Sequence, residues 1–180
     1  MMLKTLGIAL ILAASSSSVV KATLLGETVR LTHELPNVGA IFGGPIDVVV
    51  GPGVEAPLFI GIYSVDLDDT DVLVTFPNSC CGGFGNTAFN GLHMFDVNGT
   101  IGDILSVTIN PATLLAGFNA SRITFDANNI YVNFAGLNPN PSTDLVALDI
   151  TAAPEPSTWL FMAGLAVFVA MRRTAARRRI

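Results

Sequence analysis

Apolar and polar side chains alternate through much of the middle of the chain. In residues 129–135, NIYVNFA, Ile130, Val132 and Phe134 fall on one side, with Tyr131 and Asn133 on the other. A period of two is that of a half-buried β-strand. Residues 122–126, RITFD, repeat it with Ile123 and Phe125, and Ala127-Asn128 between the two runs predicts a hairpin turn. Residues 29–35, VRLTHEL, turn Val29, Leu31 and Leu35 inward, and residues 71–76 do the same with Val72, Val74 and Phe76. Further strands are predicted at 46–50, 58–67, 92–97, 104–109 and 144–150. Gly43-Gly44-Pro45, Gly51-Pro52-Gly53 and Cys81-Gly82-Gly83 supply the breaks. One short helix is predicted, with Asn110 as its N-cap, Pro111 at its first position and Gly117 at its end. Short strands, frequent turns and little helix predict an all-β antiparallel β-sandwich.

The two ends follow another pattern. Residues 1–22 join a positive Lys4 to a short apolar run, residues 6–14, and then a serine stretch. Val20 and Ala22 place small side chains at −3 and −1 of a cleavage site before Thr23. This three-part arrangement predicts a secretory signal peptide over residues 1–22. Residues 154–180 read PEPSTWLFMAGLAVFVAMRRTAARRRI. Their apolar stretch, 157–171, predicts a single transmembrane helix of about 22 Å, short of the roughly 30 Å hydrocarbon core. Arginine side chains extend that reach by snorkelling, and they hold the cluster Arg172, Arg173, Arg177, Arg178 and Arg179 on the cytoplasmic side. Ahead of the helix, Pro154 and Pro156 keep Pro154-Glu155-Pro156 extended at the outer boundary. The working domain is therefore residues 23–153, long enough to bury a core.

Charge separates along the same lines. Residues 23–153 hold two basic residues, Arg30 and Arg122, against thirteen acids, a balance of −11. A domain this acidic repels phosphate backbones, which argues against nucleic-acid binding.

The tail resembles the PEP-CTERM sorting signal of Gram-negative bacteria: a Pro-Glu-Pro motif, an apolar helix and a terminal basic cluster, here residues 154–156, 157–171 and 172–180. The resemblance implies recognition by an exosortase, a membrane-embedded cysteine-protease-like enzyme, and removal of the tail. It also implies transient anchoring in the inner membrane facing the periplasm, then delivery to the cell surface or beyond, in an organism that makes exopolysaccharide. The stretch from Val107 to Leu137 resembles ectodomains of such proteins, but carries no known chemistry.

Two clusters within the domain could carry chemistry. Asp66, Asp68, Asp69 and Asp71, in VDLDDTDV, suit a calcium ion, which takes six to eight oxygens. The spacing is not that of an EF-hand, and a hairpin would split the carboxylates between two faces; the competing reading is a solvated turn. Cys80 and Cys81 are adjacent in a chain bound for an oxidising compartment. A disulfide between neighbours is strained, because their Cα atoms lie about 3.8 Å apart, below the usual range. A vicinal disulfide, free thiols and intermolecular pairing all stay open. His33, in register with Leu31 and Leu35, reads as a satisfied core histidine, and His93 as uninformative. The chain has no G-x-S-x-G elbow, and no pair of carboxylates is singled out for hydrolysis.

These readings point to a non-enzymatic exported surface or matrix protein, needing no cofactor, sorted through its tail and associated with exopolysaccharide or biofilm. The alternative is a calcium-dependent carbohydrate-binding module. An extracellular hydrolase has the least support.

Overall fold

A computed structural model of the chain describes residues 24–77 and 83–153. Ten strands form among these residues: β1 (Thr28–Glu34), β2 (Ile41–Val49), β3 (Ala56–Phe59), β4 (Tyr63–Leu67), β5 (Asp71–Thr75), β6 (Gly91–Asp96), β7 (Ile104–Ile109), β8 (Ile123–Phe125), β9 (Asn129–Asn133) and β10 (Leu145–Ala152). They pair antiparallel in two five-stranded sheets, ordered β2-β1-β6-β9-β8 and β3-β4-β5-β10-β7. No described residue is in an α-helix, and no helix among them is long and apolar enough to cross a membrane.

The alternation read from the sequence is what joins the sheets. In β10 the burial pattern is strict, with Val146, Leu148, Ile150 and Ala152 all buried and the residues between them half-exposed. Val146, Leu148 and Ile150 each contribute about 1.5–3 kcal/mol by leaving water. Across from them, Leu31, Leu92 and Val132 of the first sheet enter the same core cluster. Aromatic rings fill one region of it. Tyr63 of β4 meets Phe134, just past β9, edge-to-face at 5.7 Å between centroids, and Phe76 meets Phe134 at 5.7 Å. One apolar core between two antiparallel sheets is the layering that a sandwich requires.

Four local expectations are corrected. The segment from Asn110 to Gly117 is not a helix. The Asn110 side chain accepts the Ala112 N–H, while the N–H groups of Asn110, Leu114 and Leu115 bond carbonyls of β10 or its flank, at Ala147 and Leu145. Thr113 adds two bonds to Ala147 through its hydroxyl. These sheet contacts take the donors that a helix would need. Residues 58–67 are not one strand: the chain reverses at Ile60-Gly61, with φ of 50° and 77°, and the Ile62 N–H bonds the Phe59 carbonyl. Positive φ at both central residues suits a tight hairpin, and only Gly61 advertises it. Gly43-Gly44-Pro45 is not a break, since β2 runs through it with irregular register opposite Leu31, His33 and Glu34. Proline is tolerated there because β2 is an edge strand. Finally, Phe125 is 41 % exposed rather than core, because β8 is a three-residue edge strand.

Candidate functional site

The two histidines lie on opposite faces of the first sheet. His33 is buried inward, 2 % exposed. Its Nε2 lies 3.0 Å from Asn90 Oδ1, and the Asn90 amide nitrogen donates to the Gly85 carbonyl, which fixes Oδ1 as the acceptor. Nε2 therefore carries the proton, and Nδ1 accepts from the Tyr63 hydroxyl at 3.0 Å. Burial pushes the His33 pKa down and that of Tyr63 well up, consistent with a neutral ring and an intact phenol. As expected from the sequence, His33 is a satisfied core residue.

The outward face of the same sheet carries a polar constellation that the sequence reading did not single out. Glu34 and Thr32 point away from the core yet are only 3 % and 4 % exposed. Glu34 Oε2 accepts the Gly39 N–H at 2.6 Å, and Oε1 sits 2.7 Å from His93 Nδ1. His93 Nε2 faces Asn129 Oδ1 at 2.9 Å, and the ring stacks on Tyr131 at 4.2 Å. Arg30, Thr32, Glu34, His93, Phe95 and Ile41 help line a groove of about 160 Å³. Beside it, Arg30 grips Asp47 of β2 with two bonds, at 2.7 and 2.8 Å, and this pairing holds the Asp47 carboxyl below its ordinary range. The available signal was parity: Arg30, Thr32 and Glu34 alternate with Val29, Leu31 and His33, so they share the face opposite the core.

The four aspartates surround the β4–β5 hairpin. Asp66 lies on β4, Asp68 and Asp69 in the turn, and Asp71 begins β5. The Asp68 N–H closes the turn on the Asp71 carbonyl, and the Asp68 carboxylate accepts the Asp69 N–H at 2.8 Å. Burial, then Glu55 and Asp68 nearby, push the Asp66 pKa up. Asp69 Oδ1 is buried and accepts no hydrogen bond. Among the described residues no group of three or more His, Cys, Asp or Glu side chains is placed to hold a metal ion. Cys80 and Cys81 lie outside the described residues, as do Val20, Ala22, Thr23, Pro154, Glu155, Pro156 and the five tail arginines.

The chain enters and leaves the described domain at one end. Leu24, its first residue, donates its N–H to the Asp69 carbonyl in the β4–β5 turn. Ile150 of β10 donates to Thr70 in the same turn, and Ala153 donates to Asp103 ahead of β7 at 2.8 Å. Leu24, Ile150 and Ile104 line one small apolar cavity between the sheets there. Thr70 and Asp71 of the hairpin and Asp103 thus flank the end of β10 that precedes Pro154. Comparison with curated proteins and with solved structures finds no match. The segment that begins at Ala152, the last residue of β10, is different: residues 152–179 match the PEP-CTERM protein-sorting motif, so the chain carries that motif after its β-domain.

Proposed function

We propose that this chain is an exported precursor whose β-domain is delivered by exosortase acting on its C-terminal motif, and that the domain serves without catalysis at the cell surface or in an exopolysaccharide matrix. The observation that carries the reading is the match of residues 152–179 to a protein-sorting motif that begins at the final residue of the last strand of a folded domain. In this reading residues 1–22 direct export and residues 157–171 tether the precursor in the inner membrane. The tail arginines hold its orientation, and removal of the tail frees the domain. Mass spectrometry of the C-terminus in surface and matrix fractions tests it. Tail-free protein is expected, with replacement of Pro154-Glu155-Pro156 by three alanines blocking processing and neutral replacement of the arginines impairing both retention and processing. Surface protein that still carries Arg177–Arg179 would reject the reading in favour of a plain anchor.

Carbohydrate binding is the second reading of the domain. Its support is the groove on the outward face of the first sheet, where the polar side chains of Arg30, Thr32, Glu34 and His93 lie beside the Phe95 ring. The acidic hairpin gives calcium no comparable convergence. Glycan binding by the mature domain that survives chelation and is lost in Glu34→Gln would favour this reading.

A further inference from the structure

The last strand leaves the sorting motif no linker. β10 lies between β5 and β7, and its pairing continues to the edge of the motif: Thr151 opposes Ser106, Ala152 opposes Ile104, and the Ala153 N–H bonds the Asp103 carbonyl. Ala152 is 1 % exposed. Pro154, the next residue, has no N–H with which to continue the ladder. A protease groove takes its substrate as an extended strand, bonding backbone on both sides of the scissile peptide. The residues that would fill the N-terminal half of that groove are those held by the sheet.

The grip on them is also uneven. Register with β5 ends at Asp149 opposite Asp71, and Ile150 makes the final bond on that side, to Thr70. Beyond Ile150, β10 is held by β7 alone, an edge strand, across an irregularity between Thr151 and Ala152. Strand ends bonded on one flank open far more readily than whole domains unfold.

We propose that residues 151–153 must detach from β7 before the tail can be removed, so that the pairing of this strand end sets the rate of processing of the folded domain. The inference rests on the sorting reading above. In the hydrolytic step one peptide bond at the motif breaks; the oxygen of a water joins the acyl carbon, and its protons are shared between the new carboxyl and amine groups. The rest of β10, with Val146, Leu148 and Ile150 in the core, stays in place, so the product remains folded.

The test uses the full chain in its native host, with pulse–chase measurement of tail removal. Inserting Gly-Ser-Gly-Ser between Ala153 and Pro154 leaves every described residue unchanged and supplies an unpaired approach. Processing about fivefold faster or more is expected. A rate equal to or slower than that of the unaltered chain overturns the proposal. The three-alanine replacement of Pro154-Glu155-Pro156 separates the two claims. If it is processed like the unaltered chain, or neither chain loses its tail, the sorting reading itself falls; if it is blocked while the linker has no effect, only the strand-end inference falls.

Discussion

Two aspartate-bearing turns lie toward the end where the chain leaves the domain, one in each sheet, and they use aspartate in opposite ways. In the β8–β9 turn, Asp126 Oδ1 collects the N–H groups of Asn128 and Asn129 and the Asn129 side-chain amide, at 2.8–2.9 Å. These bonds, the Asn129 side chain first, hold its pKa below the ordinary carboxylate range. In the β4–β5 turn, Asp66 is pushed the other way by burial and by Glu55 and Asp68, and Asp69 Oδ1 is buried with no donor. One turn gives a carboxylate oxygen three donors; the other gathers carboxylates faster than it supplies donors. A count of acids cannot separate these cases, because the difference lies in which backbone N–H groups the turn leaves free.

Three measurements would break or sharpen that contrast. The largest effect is expected at Asp96, which closes the loop after β6. Its two oxygens accept the N–H groups of Asn98, Gly99 and Ile101, and the residue is 5 % exposed. Asp96→Ala leaves the buried Ile101 N–H unpaired, removes the acceptor of the Asn98 and Gly99 N–H groups, and should cost about 2 kcal/mol, read by urea denaturation of the mature domain. Asp126→Ala should follow with a melting temperature lower by about 3 °C, the smaller effect reflecting exposure. Because its folded pKa is depressed, the stability that Asp126 supplies is present above the ordinary carboxylate range and is lost as pH falls through the depressed value. The difference between Asp126→Ala and the unaltered domain should therefore shrink in acid; a constant difference would contradict the assigned bonds.

The smallest effect has the opposite sign. Asp66 has a raised folded pKa, so its ionisation opposes folding, and stability falls as pH rises from the ordinary carboxylate range through the raised value. Asp66→Asn should raise the melting temperature at neutral pH by about 1 °C, with millimolar calcium leaving both proteins unchanged. Stabilisation of the unaltered domain by calcium, abolished in Asp66→Asn, would show instead that the hairpin closes around an ion.

Legibility in the sequence followed the same division between side-chain pattern and backbone partners. The alternation of Val72, Val74 and Phe76, and of Ile130, Val132 and Phe134, is a burial pattern written directly in side chains, and these residues are core. The Ile60-Gly61 reversal was hidden because isoleucine seldom adopts positive φ. The helix predicted from Asn110-Pro111 had its capping residue, but Ala147 and Leu145 across the sheet outbid it, and no local pattern reports a distant partner. In the tail, Pro154-Glu155-Pro156, the apolar run and the arginines were legible as a sorting motif. What could not be read was the absence of slack before it, because Thr151 and Ala152 become strand only through β7 and Ala153 is held only by the Asp103 carbonyl, partners distant in sequence.

The His33 bridge has one more consequence. Apolar faces attract without direction, so two greasy sheets could settle against each other in several alignments at similar energy. His33 belongs to one sheet and Tyr63 to the other, with Asn90 fixing the ring from behind. Displacement along the strand axis by one pair of residues, about 7 Å, would return oil to oil, yet strand a phenol and an imidazole in a dry interior at a cost of about 1–3 kcal/mol each. That triad works as a keyway: it adds little to the attraction between the layers and makes every misaligned stacking expensive.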